Sequence, residues 1–170
     1  MSKLPPLKII AAALTAEAFA AYGDVIAVSN RATHYSVNNG MAERYHDLAQ
    51  LDSGSNGRTA VSIFRCQPYA EPVSINRMEC HPLASQAFFP LSAHPYLVVV
   101  APYGAEPTIE NIRAFLARPG QGINYLAGVW HHPVLALTTV SDFLVLDRVG
   151  DGHNCLEIRL PQPLIITIGR

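Results

Sequence analysis

The sequence of 170 residues has almost no lysine: Lys3 and Lys8 are the only two, both near the N-terminus, and every other cation is Arg. Imine chemistry needs a desolvated amine, so a Schiff-base mechanism is not expected. Cysteine is also scarce. Cys66, Cys80 and Cys155 are odd in number, widely spaced and without a CxxC, which excludes a disulfide framework and a zinc knuckle and fits a reducing cytoplasm. The cysteines read as small core residues. No apolar run reaches the roughly 20 residues of a membrane span, and the opening MSKLPPLKII lacks the apolar stretch of a signal peptide. Charge of either sign is low, at 15% of residues with a net charge of -1. There is no basic stripe, so nucleic acid is not an expected partner. There is no internal repeat and no low-complexity segment.

What is present is apolar and strand-like. Nearly half the residues are hydrophobic, which is enough for one domain over residues 1–170. The short runs DVIAV, AVSIFRC, PVSINRMEC, QAFFPL, YLVVVA, GINYLA, LALTTV, DFLVLD, CLEIRL and PLIITI are rich in β-branched and aromatic residues and bounded by Pro, Gly or Asp. They predict an all-β protein, an antiparallel barrel or jelly roll. Two short helices are expected. One runs over Ala16–Tyr22 behind the cap Thr15; the other lies in PTIENIRAFL, where Ile109, Ile112 and Leu116 recur at helical spacing. DSGSNGR, residues 52–58, reads as a flexible surface loop.

Three stretches concentrate polar chemistry: VNNGMAERYHD (Val37–Asp47), RMECHPLASQ (Arg77–Gln86) and GQGINYLAGVWHH (Gly120–His132). In the second, Glu79 and His81 are two apart and share a strand face, and Gln86 follows. This keeps the spacing of the first cupin metal motif, His-x-His then Glu, with two of the three ligand types changed. The third keeps the spacing of the second cupin motif, with Leu126 in place of Pro and His131 at the ligand position. Glu79, His81, Gln86 and His131 are therefore expected to converge inside the barrel, a set that suits a divalent ion such as Ni, Mn, Fe or Zn without choosing one. No organic cofactor is expected. His132 and Trp130, the only Trp, should lie on the other face or at the bend before Pro133. Cys80 should point away from Glu79 and His81. His94 and His153 read as solvated, and His34 and His46 take no assignment.

VNNGMAERYHDLA, MECHPLASQAFFPL, LARPGQGINYLAGVWHHP and DFLVLDRVGDGHNC together resemble the ureidoglycolate lyase family, once called ureidoglycolate hydrolase, in order from about Leu14 to Leu160. The resemblance implies a cupin-type β-barrel, a homodimer, and cleavage of (S)-ureidoglycolate to glyoxylate and urea in allantoin degradation, a carbon–nitrogen lyase reaction of purine catabolism. The chain departs from the family's usual residues at Cys80, where Arg is usual, at Ala84, where Gly is frequent, and at Leu156, where an acid is frequent.

Such a reaction requires a base, an acid and a holder for the carboxylate. Beside a metal, His131 or His132 would exchange protons; without one, Glu79 would be the base, its pKa raised by burial. Arg44 is the first candidate for the carboxylate, with Arg65 and Arg77 in reserve. Asn38, Asn39 and Asn124 suit the ureido group, and Tyr125 and Trp130 suit the pocket wall. Two alternatives stay open: another metal-dependent cupin enzyme, an isomerase or a dioxygenase, and a non-catalytic barrel that binds a small acid.

Overall fold

The computed structural model describes residues 7–169. Fourteen strands follow in chain order: β1 (Leu7–Ala13), β2 (Gly23–Ile26), β3 (His34–Val37), β4 (Ala42–Tyr45), β5 (Gly57–Cys66), β6 (Val73–Cys80), β7 (Gln86–Pro90), β8 (Tyr96–Ala101), β9 (Arg113–Ala117), β10 (Gly122–Tyr125), β11 (Trp130–His131), β12 (Leu135–Ala136), β13 (Ser141–Gly150) and β14 (Leu156–Ile168). One four-residue helix, α1 (Ala16–Phe19), precedes β2, and its first turn is capped by the Thr15 hydroxyl, which accepts from Ala18 N.

The all-β barrel expected from the sequence is what the chain forms. Six strands, β11, β6, β14, β1, β9 and β8, close into a ring because β11 pairs with both β6 and β8; β12 adds to β8. A second sheet, ordered β2-β10-β7-β13-β5, packs against the β8–β9 side of the ring. β8 therefore needs apolar residues on both faces, and YLVVVA supplies them. Tyr96, Val98 and Val100 face the second sheet, whereas Leu97, Val99 and Ala101 face the ring interior. Met78, Ile75, Leu164 and Ile166 complete the core inside the ring; Phe19, Phe88, Phe115, Tyr125 and Phe143 complete the core between the sheets.

Four details differ from the sequence reading. β1 runs parallel to both β14 and β9, so the barrel is not wholly antiparallel. Lys8 lies on this strand, exposed, and no lysine among the described residues is buried. CLEIRL and PLIITI are one strand, β14, with a register shift between Arg159 and Leu164 that absorbs Pro161 and Pro163. The helix expected in PTIENIRAFL is one turn, closed by Asn111 N and Ile112 N on Thr108 O, after which β8 and β1 recruit Arg113–Ala117 as β9. Burial on both faces of that strand outweighs its helical spacing. The first polar stretch forms a hairpin, β3–β4, around a 3-10 turn at Asn38–Gly40, and among the described residues this hairpin pairs with no other strand.

Candidate functional site

The two spaced motifs meet at the junction of β6 and β11. Gly128 has φ +78° and donates its N–H to His81 O (2.8 Å). A Cβ there would stand 2.5 Å from the Tyr103 ring, so Gly suits this turn. The turn feeds Trp130 and His131 between β6 and β8, with His131 directly opposite Glu79. Trp130 turns into the ring core; His131 turns to the space between the sheets and stacks on Tyr125, ring centroids 4.1 Å apart at 8°. Glu79 is next to Met78, which faces the ring interior, so its carboxylate also lies between the sheets. The cluster therefore occupies the gap between ring and second sheet, not the interior of the ring.

The ligand atoms of Glu79, His81 and His131 lie within 4.8 Å of one another. Glu79 Oε1 is 3.6 Å from His131 Nε2 and 3.9 Å from His81 Nε2, too far for hydrogen bonds. His81 Nδ1 meets Asn154 O at 2.6 Å and His131 Nδ1 meets Val129 O at 3.1 Å. A carbonyl only accepts, so both rings carry their proton on Nδ1 and present the Nε2 lone pair to Glu79. Both Nε2 atoms are buried without a partner, and so is Gln86 Oε1. The lone pairs of Glu79, His81 and His131 thus converge with no donor between them, which fits a cation; imidazoles fixed through Nδ1–H on carbonyls are what metal-ligating histidines display.

Electrostatics agree. Burial, reinforced by charge on His81, holds His131 below its ordinary value, so the ring is neutral at pH 7. His132 is lowered too, first by burial. Burial alone would raise Glu79, but His131, His81 and Arg77 outweigh it and the net shift is downward. The elevated Glu79 expected from burial is therefore corrected: its carboxyl lies below its ordinary value and is ionised at pH 7. Tyr125 is pushed far up by burial, with charge on Tyr96 and Glu79 adding to it.

Two clefts flank the cluster and share Gln86. One, of about 310 Å³, is lined by His81, Arg148, His153 and Asn154 among others; the second, of about 410 Å³, is lined by Phe64, Cys66, Tyr69, Glu79 and Pro133 among others.

The remaining candidates scatter. Asn124 is fully buried on the outer face of β10, where its amide donates to Asp24 Oδ2 and Gln50 O (3.0 Å each); it pins the 46–50 loop and does not reach the clefts. Arg65 faces outward from β5, both guanidinium contacts on Asp142 at 2.9 Å. Arg77 shares the face of Glu79 but is exposed and lines neither cleft. Trp130, expected in the pocket wall, packs in the ring core. His132 is buried beside the cluster, its Nδ1 2.8 Å from Pro133 O and its ring edge-on to Tyr69. Asn38, Asn39 and Arg44 sit on the β3–β4 hairpin, exposed. Cys80 is buried and on the Met78 side, but Cys155 is exposed rather than a core residue.

Sequence reasoning missed Asn154, which orients His81 and whose side chain also accepts from Leu83 N (2.8 Å). It missed Cys155 and Glu157, whose ligand atoms lie within 4.8 Å of Glu79's. Their approach depends on the β14–β6 register, which places Glu157 opposite Glu79; only the quoted run DGHNC hinted at it.

Comparison with known proteins follows this geometry. The family model described as "Ureidoglycolate lyase" matches residues 6–167. The chain is similar to the ureidoglycolate lyase of Burkholderia cepacia, with 53% identity over 162 residues, 94% of this chain and 89% of that one. It is similar to that of Pseudomonas syringae pv. syringae, with 47% identity over 162 residues and 95% of each chain, and to that of Brucella abortus biovar 1, with 53% identity over 146 residues and 85% of each. Among solved structures, an oxalate decarboxylase variant of Bacillus subtilis matches at TM-score 0.37 and 11% identity, covering 74% of this chain and 34% of that one. By the family match and these relatives, the chain belongs to the ureidoglycolate lyase family.

Proposed function

We propose that the protein cleaves (S)-ureidoglycolate to glyoxylate and urea. The observation that carries this reading, beyond family membership, is the ionised Glu79 set between two imidazole lone pairs at the edge of a cleft. Ureidoglycolate carries a hydroxyl, a carboxylate and a ureido nitrogen on one carbon. Cleavage removes the hydroxyl proton, turns the C–O bond into a carbonyl, breaks the C–N bond and needs a proton on the departing nitrogen. The net transfer is one proton from oxygen to nitrogen. Glu79 suits both halves: ionised, it takes the hydroxyl proton, and the carboxylic acid so formed returns it to nitrogen. His81 and His131 do not compete as donors, because each Nδ1–H is committed to a carbonyl. Gln86 Oε1, unpartnered, is free to accept from a ureido N–H. Tyr125 keeps the His131 ring in place by stacking and excludes water from its face.

Glu79, His81 and His131, with Gln86, would also hold a divalent ion such as Ni, Mn, Fe or Zn, which would supply Lewis acidity toward the substrate's hydroxyl and carboxylate oxygens. The same reading makes the protein a homodimer in the cytoplasm, acting late in allantoin breakdown; its three free cysteines suit a reducing compartment. Two His and one carboxylate is also the ligand count of iron oxygenases, the second reading. Incubation with racemic ureidoglycolate separates them. The lyase consumes one enantiomer and releases glyoxylate without oxygen uptake; oxygen consumption with Fe(II) favours the second reading.

A further inference from the structure

We infer that the β3–β4 hairpin is an exchanged arm. It docks on the free edge of β5 in a second copy of this chain and brings Arg44 over the cleft beside that copy's Glu79. This inference rests on the lyase reading for the role of Arg44, but not for the docking.

Among the described residues the hairpin is paired only with itself, and none of residues 34–45 is buried. A lone two-stranded hairpin is marginal in water. This one also exposes Tyr35 at 41% and Met41 at 85%. Something must cover it, and the chain carries a matching surface. β5 is a ten-residue edge strand whose outer side has no partner among the described residues. It exposes Val61 at 69% and Ile63 at 55%, and an uncovered apolar edge of that length invites strand addition. Hairpin and edge belong to the same chain, so two copies related by a two-fold axis satisfy both at once.

The β5 edge runs directly into the cleft. Phe64 and Cys66, at the end of β5, and Tyr69, just beyond, line it together with Glu79 and Gln86. The one charged side chain lining this cleft is Glu79. A carboxylate substrate entering there meets an anionic side chain and no cationic one. The neighbouring cleft has Arg148, but its Nη2 is bound to Ser55 O (3.1 Å) and Asp151 O (2.9 Å), and its Nε and Nη1 are buried, Nη1 beside Gly57 and Gly150. Arg44, by contrast, is exposed, makes no ion pair among the described residues, and lies over the Tyr35 ring with Cζ 6.0 Å from the centroid. A cation on the arm complements an anionic cleft that lacks one, and the planar guanidinium suits a carboxylate.

Two experiments on the full-length protein test this. In the first, sedimentation is read with Tyr35→Asp and Met41→Asp introduced together. Dissociation of a wild-type dimer to a folded monomer is expected; a dimer that persists, or a wild type that is monomeric, overturns the docking whether or not the protein is a lyase. In the second, Arg44→Ala is mixed with His131→Ala after mild unfolding and refolding. Each variant alone should have lost most turnover. The mixture should recover about one quarter of wild-type activity, because half the random dimers are hybrids with one complete site. Recovery occurs only if Arg44 serves the partner's cleft. Activity in Arg44→Ala alone, or no recovery although hybrids form, overturns the assignment of Arg44. A wild type inactive on ureidoglycolate overturns the lyase reading and Arg44's role with it, and leaves the sedimentation result to decide the arm.

Discussion

Replacing Glu79 by Gln should remove most of the turnover and leave the fold nearly as stable. The carboxylate stands 3.6 Å from His131 Nε2 and 3.9 Å from His81 Nε2, both lone-pair acceptors, so three acceptors face each other. A Gln amide of nearly the same shape brings an N–H into this gap and gives up the charge interactions that lower the Glu79 carboxyl. One new hydrogen bond to a buried acceptor contributes about 1 kcal/mol, which offsets that loss, so Tm should stay within about 2–4 °C of wild type. The same change removes the group that accepts and returns the substrate proton, so turnover should fall by about 100-fold or more. It should also weaken divalent-ion binding, so that the rise in Tm produced by added ion in the wild type is lost. The assay is thermal unfolding by circular dichroism after chelation, together with glyoxylate release at saturating substrate. A Glu79→Gln protein that turns over normally, or that unfolds several degrees below wild type in the chelated state, would refute the reading of this cluster as converging lone pairs.

Other changes have defined outcomes. His131→Ala should lower turnover by about 100-fold or more and cost about 2–4 kcal/mol, since it deletes a buried ring stacked on Tyr125. His132→Ala should mainly cost stability, and steady-state kinetics with urea melts on both variants would show a misjudged register if the roles reversed. His131 and His132 titrate below 6.5 in the fold and near about 6.5 when unfolded, so the unfolded chain takes up protons first as pH drops. Their contribution is fully present above the unfolded value and is lost as pH falls from there toward the lowered folded values; urea melts of chelated protein between about pH 5 and 8 should show this, with a shallower slope in His132→Asn. Gly23→Ala would place a Cβ 1.8 Å from Asn124 O at φ +149°, and its chemical midpoint should fall by several kcal/mol equivalent, about 3 or more.

The core strands were legible because their patterns have a single physical solution. YLVVVA is short and rich in β-branched residues, which predicts a strand, and β8 is that strand, covered on both faces. The spacings around Glu79, His81 and His131 were legible because a two-residue period fixes the face. Depth was not legible. Alternation says that His131 and Trp130 face opposite ways, but not which side is the ring interior; closure by β11 between β6 and β8 decides that. Arg65 and Cys66 alternate in the same way, and only the pairing with Asp142 shows that the Arg is outside. Asn124 resembles a ligand-reading amide in sequence, yet Asp24 and Gln50, far away in the chain, claim its donors. The hairpin hid because its two strands are short, polar and joined by Asn38 and Asn39 in left-handed conformation, so neither strand has the apolar alternation that marks the others.

The most direct test of the central claim is the nitrogen balance of a single turnover assay. Purified protein is incubated with racemic ureidoglycolate, free of urease, and urea, ammonia and glyoxylate are measured together. Urea and glyoxylate are expected in equal amounts, with no ammonia and one enantiomer left over. Stoichiometric ammonia, or no glyoxylate from either enantiomer, would contradict it.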